Sequence, residues 1–382
     1  MTVKQTNEAV TKPEKDPRRT EFMKNTRRIE NMMEVVRIIA GMGIAYLVAL
    51  LILVSFSSDP LFIVKQFILG PFSSPRRIGS IINLAVPFML CGLSMCFMYA
   101  VNKFNLIGES IFMLSGCIVT WIGLAIGNSL PMAVMVPLLL VIGALIGAAL
   151  AFIPAIMDWK LSANVVVVSL MLNAVIAQLA VYILRFYMKD PGISFIGSYE
   201  TPASMQLPQI LGKMRIGSGV IIAVIAVIFV SILFYKTSFG WKMRIVGSNP
   251  KFATAVGLST LGISFAAQLA GGAFAGIAGA TEIMNSYKRF QWTASTGHGF
   301  DGLLVAVLAK RNPVLVPVGA LFLAYIRIGA DVVNTSGDIP PEFISVIQGI
   351  IILLVAAESF LSGFKNRLIY RSVQAEQAGK KA

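Results

Sequence analysis

Residues 132–156, MAVMVPLLLVIGALIGAALAFIPAI, run for 25 residues without one charged side chain. A run of roughly 20 apolar residues is what an α-helix needs to cross a hydrocarbon core of about 30 Å. In that medium every backbone N–H and C=O must be paired within the structure, which selects helices as the spanning elements. Comparable runs on either side cover Val35–Phe56, Ile81–Val101, Ser110–Ile126, Ala163–Met188, Gly219–Tyr235, Leu261–Met284, Val314–Val333 and Phe343–Phe360. The segment Gly302–Ala309 is shorter and reads as a half-helix or re-entrant piece, extended by Trp292–Asp301. The expected fold is all-α: a polytopic membrane bundle of about ten transmembrane helices.

Composition agrees. Of 382 residues, 56% are hydrophobic and 13% charged, against about a quarter charged in soluble domains, and the mean hydropathy is +0.78. The formal net charge of +14 does not point to nucleic acid, because Lys and Arg sit in the tails and short loops rather than on one face. Residues 1–34 mix Lys4, Lys12, Arg18 and Arg19 with Glu8, Glu14 and Asp16 ahead of a full-length span, unlike a cleaved signal peptide. Residues 35–361 form the membrane domain and 362–382 a second tail. That tail is basic (Lys365, Arg367, Arg371), as are the loops around Lys160, Lys236–Lys251 and Lys310-Arg311. Basic segments favour the cytoplasm, so both termini are expected there and the number of crossings is even. Arg76, Arg77, Lys288 and Arg289 then fall outside, against the rule.

Nucleotide, metal and enzyme motifs are missing. No G-x-x-x-x-G-K-[ST] occurs, so ATP is not bound by that route. His298 is the only histidine, and Cys91, Cys96 and Cys117 lie in apolar runs as small packing residues, so neither a metal nor a catalytic residue is expected. Gly123/Gly127, Gly143/Gly147 and Gly272/Gly276 are each four apart and clear one helix face for a close neighbour. Ionisable residues at membrane depth are costly. Arg185, Glu282 and Glu358 fall near span ends and are expected to snorkel; Arg327 and Asp331, one turn apart, are expected to pair within their helix. Glu109 and Asp301 each follow a glycine-containing break before an apolar run, and read either as acids at cavity-lining helix starts or as capping acids.

The basic loop 236–260 contains a helix start at Asn249-Pro250 and a glycine stop at Gly257. It reads as a short helix lying along the membrane for a cytoplasmic partner, or as an ordinary basic loop.

Together these stretches resemble the permease subunits of ATP-binding-cassette importers of the branched-chain amino acid, ribose and nucleoside group, most closely nucleoside permeases that work with Bmp-type lipoproteins. The resemblance runs from about Ile78 to Phe360 and rests on Phe104–Glu109, Asn164–Asn173, the Gly240–Gly257 loop and Gly299–Leu308. It implies that Gly240, Asn249, Pro250, Lys251, Ala253 and Gly257 belong to a coupling helix that docks on a separate ATPase subunit, which binds the ATP, so this chain carries no cofactor. It also implies a second permease chain, often non-identical, an extracellular substrate-binding lipoprotein, and a bacterial cell membrane as the site. Lys251, Phe252, Ser110 and Val165 depart from the family pattern.

A nucleoside path needs amides or carboxylates for hydroxyls and base edges between apolar or aromatic walls. Asn83, Asn105, Glu109, Asn173, Gln178 and Asp301 are the candidates, with helix–helix hydrogen bonding as the alternative role for each amide. Ribose-like sugars and branched-chain amino acids are the alternative solutes. A secondary transporter would show an inverted repeat and midplane carboxylates; an intramembrane enzyme would show clustered catalytic groups.

Overall fold

A computed structural model of the chain describes residues 60–336, with Gly43 alone before them; the tails and the expected spans Val35–Phe56 and Phe343–Phe360 lie outside the described residues. In chain order the helices are α1 (Pro60–Leu69), α2 (Pro75–Ala100), α3 (Gly108–Ile126), α4 (Met132–Leu161), α5 (Val165–Ile183, continued by a π-helical turn Leu184–Met188), α6 (Gly219–Lys236), α7 (Ser238–Ser248), α8 (Pro250–Ala255), α9 (Thr260–Ser286), α10 (His298–Leu308) and α11 (Val316–Ser336). Among the described residues, seven helical segments are long and apolar enough to cross a membrane: α2, α3, α4, α5, α6, α9 and α11. Short polar side chains set the starts. Ser74 Oγ accepts from Arg77 N at 3.3 Å ahead of Pro75, Asn164 Oδ1 from Val166 N at 3.0 Å, and Ser259 Oγ from Gly262 N at 3.3 Å.

The bundle is built around α2, whose side chains from Ala85 to Tyr99 are buried without a break. Helix α9 packs against α2, α3 and α4, while α10 and α11 cover another side of α2. The closest approach is between α4 and α9. A Cβ on Gly276 would strike Gly143 O, and one on Gly147 would strike Gly272 O, so two of the expected small-residue faces meet each other backbone to backbone. Ser115 Oγ of α3 donates to Gly276 O at 2.6 Å in the same contact. The third expected pair does something else. Gly127 ends α3 at φ +61°, and Gly123 faces Met205 of a loop, so this pair joins no two helices.

The seven spans leave two distinct ends. One carries the basic segment 236–259 and the α10–α11 turn with Lys310 and Arg311. The other carries the long loop 189–217, which holds the one named sheet among the described residues, an antiparallel pair Gln209–Leu211 and Ile216–Gly217. This hairpin was not expected in an all-α chain. Asn83 Nδ2 donates to Arg215 O at 2.8 Å and Asn83 Oδ1 accepts from Gly217 N at 3.0 Å, pinning the hairpin to α2. Two of the arginines that break the charge rule have local duties at this end. Arg77 Nη1 donates to Gly70 O at 3.0 Å and Ser73 Oγ at 2.6 Å. Arg289 Nη1 donates to Asp190 Oδ2 at 2.6 Å and Ser198 O at 3.0 Å, tying the loop to the chain after α9. The Arg289 hydrogen bond, helped by Gly192 N–H, holds the Asp190 carboxyl below its usual range.

Helix α10 has 11 residues, about 16 Å of rise and half a hydrocarbon core. It is the expected half-helix. The non-helical stretch 287–297 leads down to it from the far end of α9, and just past its other end Arg311 lies 4.9 Å over the Tyr99 ring at the basic end of α2. A short helix and an extended half together run from one end to the other.

Because backbone rather than a flexible side chain meets Gly276, Gly276→Ala is expected to overpack the α4–α9 contact and cost about 1–3 kcal/mol. Gly212→Ala, in open space within its loop, should leave stability unchanged. Thermal unfolding of the detergent-solubilised protein checks the pair; equal midpoints would contradict the packing account.

Candidate functional site

Two places concentrate residues of interest: a polar knot inside the bundle and the α7–α8 bracket at its basic end.

The knot forms because two chain segments abandon helix geometry among apolar helices. Residues 101–107 climb from the end of α2 to the start of α3, and 295–297 lead into α10. Their backbone groups need partners. Asn105 Oδ1 accepts from Ile107 N at 3.2 Å while its Nδ2 donates to Gln268 Oε1 of α9 at 3.0 Å. Ser169 Oγ accepts from Leu106 N at 3.1 Å. Asn173 of α5 donates to Leu106 O at 2.8 Å and accepts from Ser110 N at 3.3 Å.

Glu109 is the centre of this arrangement. It stands in the first turn of α3, yet its carboxylate caps α10: Oε1 accepts from Ser295 Oγ at 2.6 Å, Gly297 N at 2.7 Å and Thr296 Oγ1 at 3.3 Å, and Oε2 from Gly299 N at 2.7 Å. A buried carboxylate is tolerable when amide and hydroxyl donors and a helix N-terminus surround it. Gly299 must be glycine for this contact, because a Cβ there would strike the Glu109 backbone. Within the same turn of α10, the His298 ring stacks on Phe112 of α3 at 5.0 Å and 4°.

Asp301 also sits in the first turn of α10, and its Oδ2 accepts from Arg327 Nη1 of α11. This corrects the expected Arg327–Asp331 pair: the guanidinium reaches across to the neighbouring helix, over the Phe88 ring, and leaves Asp331 on an exposed face. Glu282 is a second correction. It is buried on α9 rather than snorkelling, and its Oε2 has no hydrogen-bond partner among the described residues. Arg185 is exposed, and Glu358 lies outside the described residues.

Of the six pathway candidates, the structure brings Asn105, Glu109, Asn173 and Asp301 together around the starts of α3 and α10. Asn83 lies toward the start of α2, with the hairpin. Gln178 stands apart on the exposed face of α5. The knot members not named from sequence are Ser169, Gln268, Ser295 and Thr296. The last two form a Ser-Thr-Gly run ahead of an apolar helix, the ordinary mark of a helix start; nothing local singles out Ser169 or Gln268.

At the basic end the chain folds into two helices rather than one. Thr237 caps α7, which doubles back on α6: a Cβ on Gly240 would strike Leu233 O, and one on Gly247 would strike Ala100 O at the end of α2. The expected start and stop hold for α8. Asn249 Oδ1 accepts from Phe252 N at 3.0 Å, Pro250 follows, and Gly257 closes the turn at φ +80° with Leu258 N donating to Ala253 O at 2.9 Å. Ala253 is buried and anchors α8, whereas Lys251, Phe252, Ala255 and Val256 face out. Trp241 and Lys242 of α7 add to this exposed rim. Among the described residues no group of His, Cys, Asp or Glu could hold a metal ion, and all three cysteines are free and buried.

Glu109→Ala would leave the Ser295 hydroxyl and the Gly297 and Gly299 amides without an acceptor, at about 1–3 kcal/mol for each buried donor. Glu109→Gln keeps one acceptor oxygen and should fall between. The measured order of thermal stability is expected to be wild type, then Glu109→Gln, then Glu109→Ala; an alanine variant as stable as wild type would refute the capping role.

Comparison with known proteins gives this geometry its context. The chain is 28% identical over 323 residues to the glucose ABC transporter permease protein TsgB13 of Haloferax volcanii, an alignment spanning 82% of this chain and 84% of the relative. It is 30% identical over 292 residues to the guanosine ABC transporter permease protein NupP of Bacillus subtilis, covering 75% and 83%. It is 27% identical over 349 residues to the nucleoside ABC transporter permease protein NupB of Lactococcus lactis subsp. cremoris, covering 88% and 95%. Residues 77–356 match the family described as the branched-chain amino acid transport system / permease component, nearly the stretch on which the sequence motifs fall. The chain is thus a multi-pass membrane transport subunit rather than an enzyme, and it belongs to that permease family.

Proposed function

We propose that this chain is the membrane-spanning permease subunit of an ATP-binding-cassette importer for nucleosides, passing solute from an extracellular binding protein to the cytoplasm. The observation that carries the mechanism is the α7–α8 bracket. Its glycines seat it on the ends of α6 and α2, its inner side is anchored by Met243, Val246 and Ala253, and its rim offers Phe252 and Val256 among lysines. Exposed apolar side chains on so short a helix suit a cleft in a cytoplasmic ATPase, which would bind the ATP. Closure of that partner would then shift α2 and α6 together as rigid elements, a two-state movement. Gly240, Asn249, Pro250, Ala253 and Gly257 shape the bracket, and Lys251 is part of the surface it offers.

The guanosine and nucleoside permeases among the relatives support a nucleoside as solute. A hexose is the second reading, favoured by the similarity to a glucose permease. Both termini in the cytoplasm, about ten crossings, a second and non-identical permease chain, and a bacterial cell membrane complete the proposal.

The test is reconstitution of the permeases with their ATPase and binding protein in proteoliposomes. ATP-dependent uptake of labelled guanosine is expected, with little uptake of glucose or ribose; the reverse preference would favour the sugar reading. Replacing residues 249–257 with a Gly-Ser spacer should abolish uptake and release the ATPase during purification while leaving the amount of permease in the membrane unchanged. Uptake at the wild-type rate with the spacer would overturn the coupling role.

A further inference from the structure

Five of the six polar candidates spend their hydrogen-bonding capacity inside the protein, and Gln178 does not. It makes no hydrogen bond among the described residues, is exposed, and lies midway along the span Val165–Met188. An amide facing hydrocarbon at that depth forfeits its hydrogen bonds at a cost of several kcal/mol. The exposed face of α6 shows the contrast: Ile221, Val224, Ile225, Ile228, Phe229 and Ile232 offer nothing but apolar surface. That face suits acyl chains throughout; the face of α5 exposes Val167, Leu170, Met171, Val175 and Leu179 as well, but Gln178 sets an amide among them.

The surroundings of Gln178 point to one kind of occupant. Tyr182, one turn further along α5, is half exposed, and its ring lies 4.7 Å from Phe186 and 6.2 Å from Tyr187. Tyr187 in turn approaches Trp121 of α3 at 5.8 Å. The π-helical turn Leu184–Met188 fits an extra residue into this stretch, and Phe186 and Tyr187 both remain exposed beside Tyr182. Such turns are rare and are frequent at functional sites. Aromatic rings at a span end also occur as an interfacial belt, but a belt does not account for an unpaired amide a further turn inward.

We propose that the outward face of α5, with Gln178 and Tyr182 at its centre and Trp121, Phe186 and Tyr187 toward its outer end, is the solute-binding wall of the transport path and takes a nucleobase. The amide offers a donor and an acceptor to the edge of the base, and the tyrosine ring offers its face for stacking. The wall looks away from this chain's own core, so a second permease chain completes the path. This inference rests on the nucleoside-importer reading and deepens it.

The experiment uses the reconstituted transporter carrying Gln178→Cys, Tyr182→Cys or, as a lipid-facing control, Ile225→Cys; the native cysteines are buried. A charged, water-soluble methanethiosulfonate reagent is expected to modify positions 178 and 182 and spare 225. Guanosine at about ten times its Kd should slow both modifications roughly tenfold, following occupancy of a single site. Gln178→Leu should raise the KM for guanosine about five- to thirty-fold, the worth of one or two hydrogen bonds, while Gln178→Asn loses less. Absence of modification at 178 and 182 would mean that lipid or a partner helix covers the face, and modification without protection would mean an aqueous wall that binds no solute; either result overturns the proposal. Wild-type uptake separates the two levels. A complex that imports no nucleoside removes the reading and the occupant together, whereas one that imports nucleosides but shows no protection removes only this wall.

Discussion

Backbone amides and carbonyls cannot be left unpaired inside an apolar bundle, and this chain breaks helix geometry there twice. The Glu109 carboxylate resolves most of the conflict. It stands at the start of one helix and supplies acceptors to the start of another, so α3 and α10 are held by a single side chain accepting four hydrogen bonds. Asn105, Ser169 and Asn173 do the same for the turn leading into α3. The half-helix, the Asp301–Arg327 pair and the ring stack of His298 on Phe112 all depend on α10 starting at that point.

The second constraint is steric. Helices α4 and α9 come close enough for glycine to meet carbonyl oxygen, and α9 then lies against α2 and α3 at once. In lipid there is little hydrophobic gain from bringing helices together, so close backbone packing is the main source of association. Glycine faces on α4 and α9, each too smooth to pack on a large side chain, find each other.

Much of this was legible in residue order. Seven full-length spans lie where uninterrupted apolar runs place them, and the shortness of the run after Gly302 announced the half-helix. Asn249-Pro250 and Gly257 marked the limits of α8 because an N-cap, a first-turn proline and a left-handed stop are local devices. The partners of Glu109 and Arg327 were not legible. A carboxylate one residue into α3 looks like its own helix's acid, and only the fold brings Gly297 and Gly299 to it across nearly two hundred positions of chain. Likewise Asp331 is one turn from Arg327 and Asp301 is not, yet packing of α10 on α11 decides the pairing. Helix α7 escaped notice because its polar, glycine-containing sequence derives stability from lying on α6 and α2 rather than from a strong apolar face.

Helix α2 touches both ends of the molecule. Its last residue, Ala100, supports the bracket through Gly247, and near its first turns Asn83 grips the hairpin at Arg215 of its turn and Gly217 of its second strand. Twenty-six residues of helix make a strut about 39 Å long, with Pro87 interrupting the ladder near its midpoint beside Phe88, the ring that meets His298 and Arg327. Under the coupling proposed above, a displacement imposed on one face would be carried along this strut to the opposite face, with its proline-interrupted midpoint beside the start of α10 as the fulcrum.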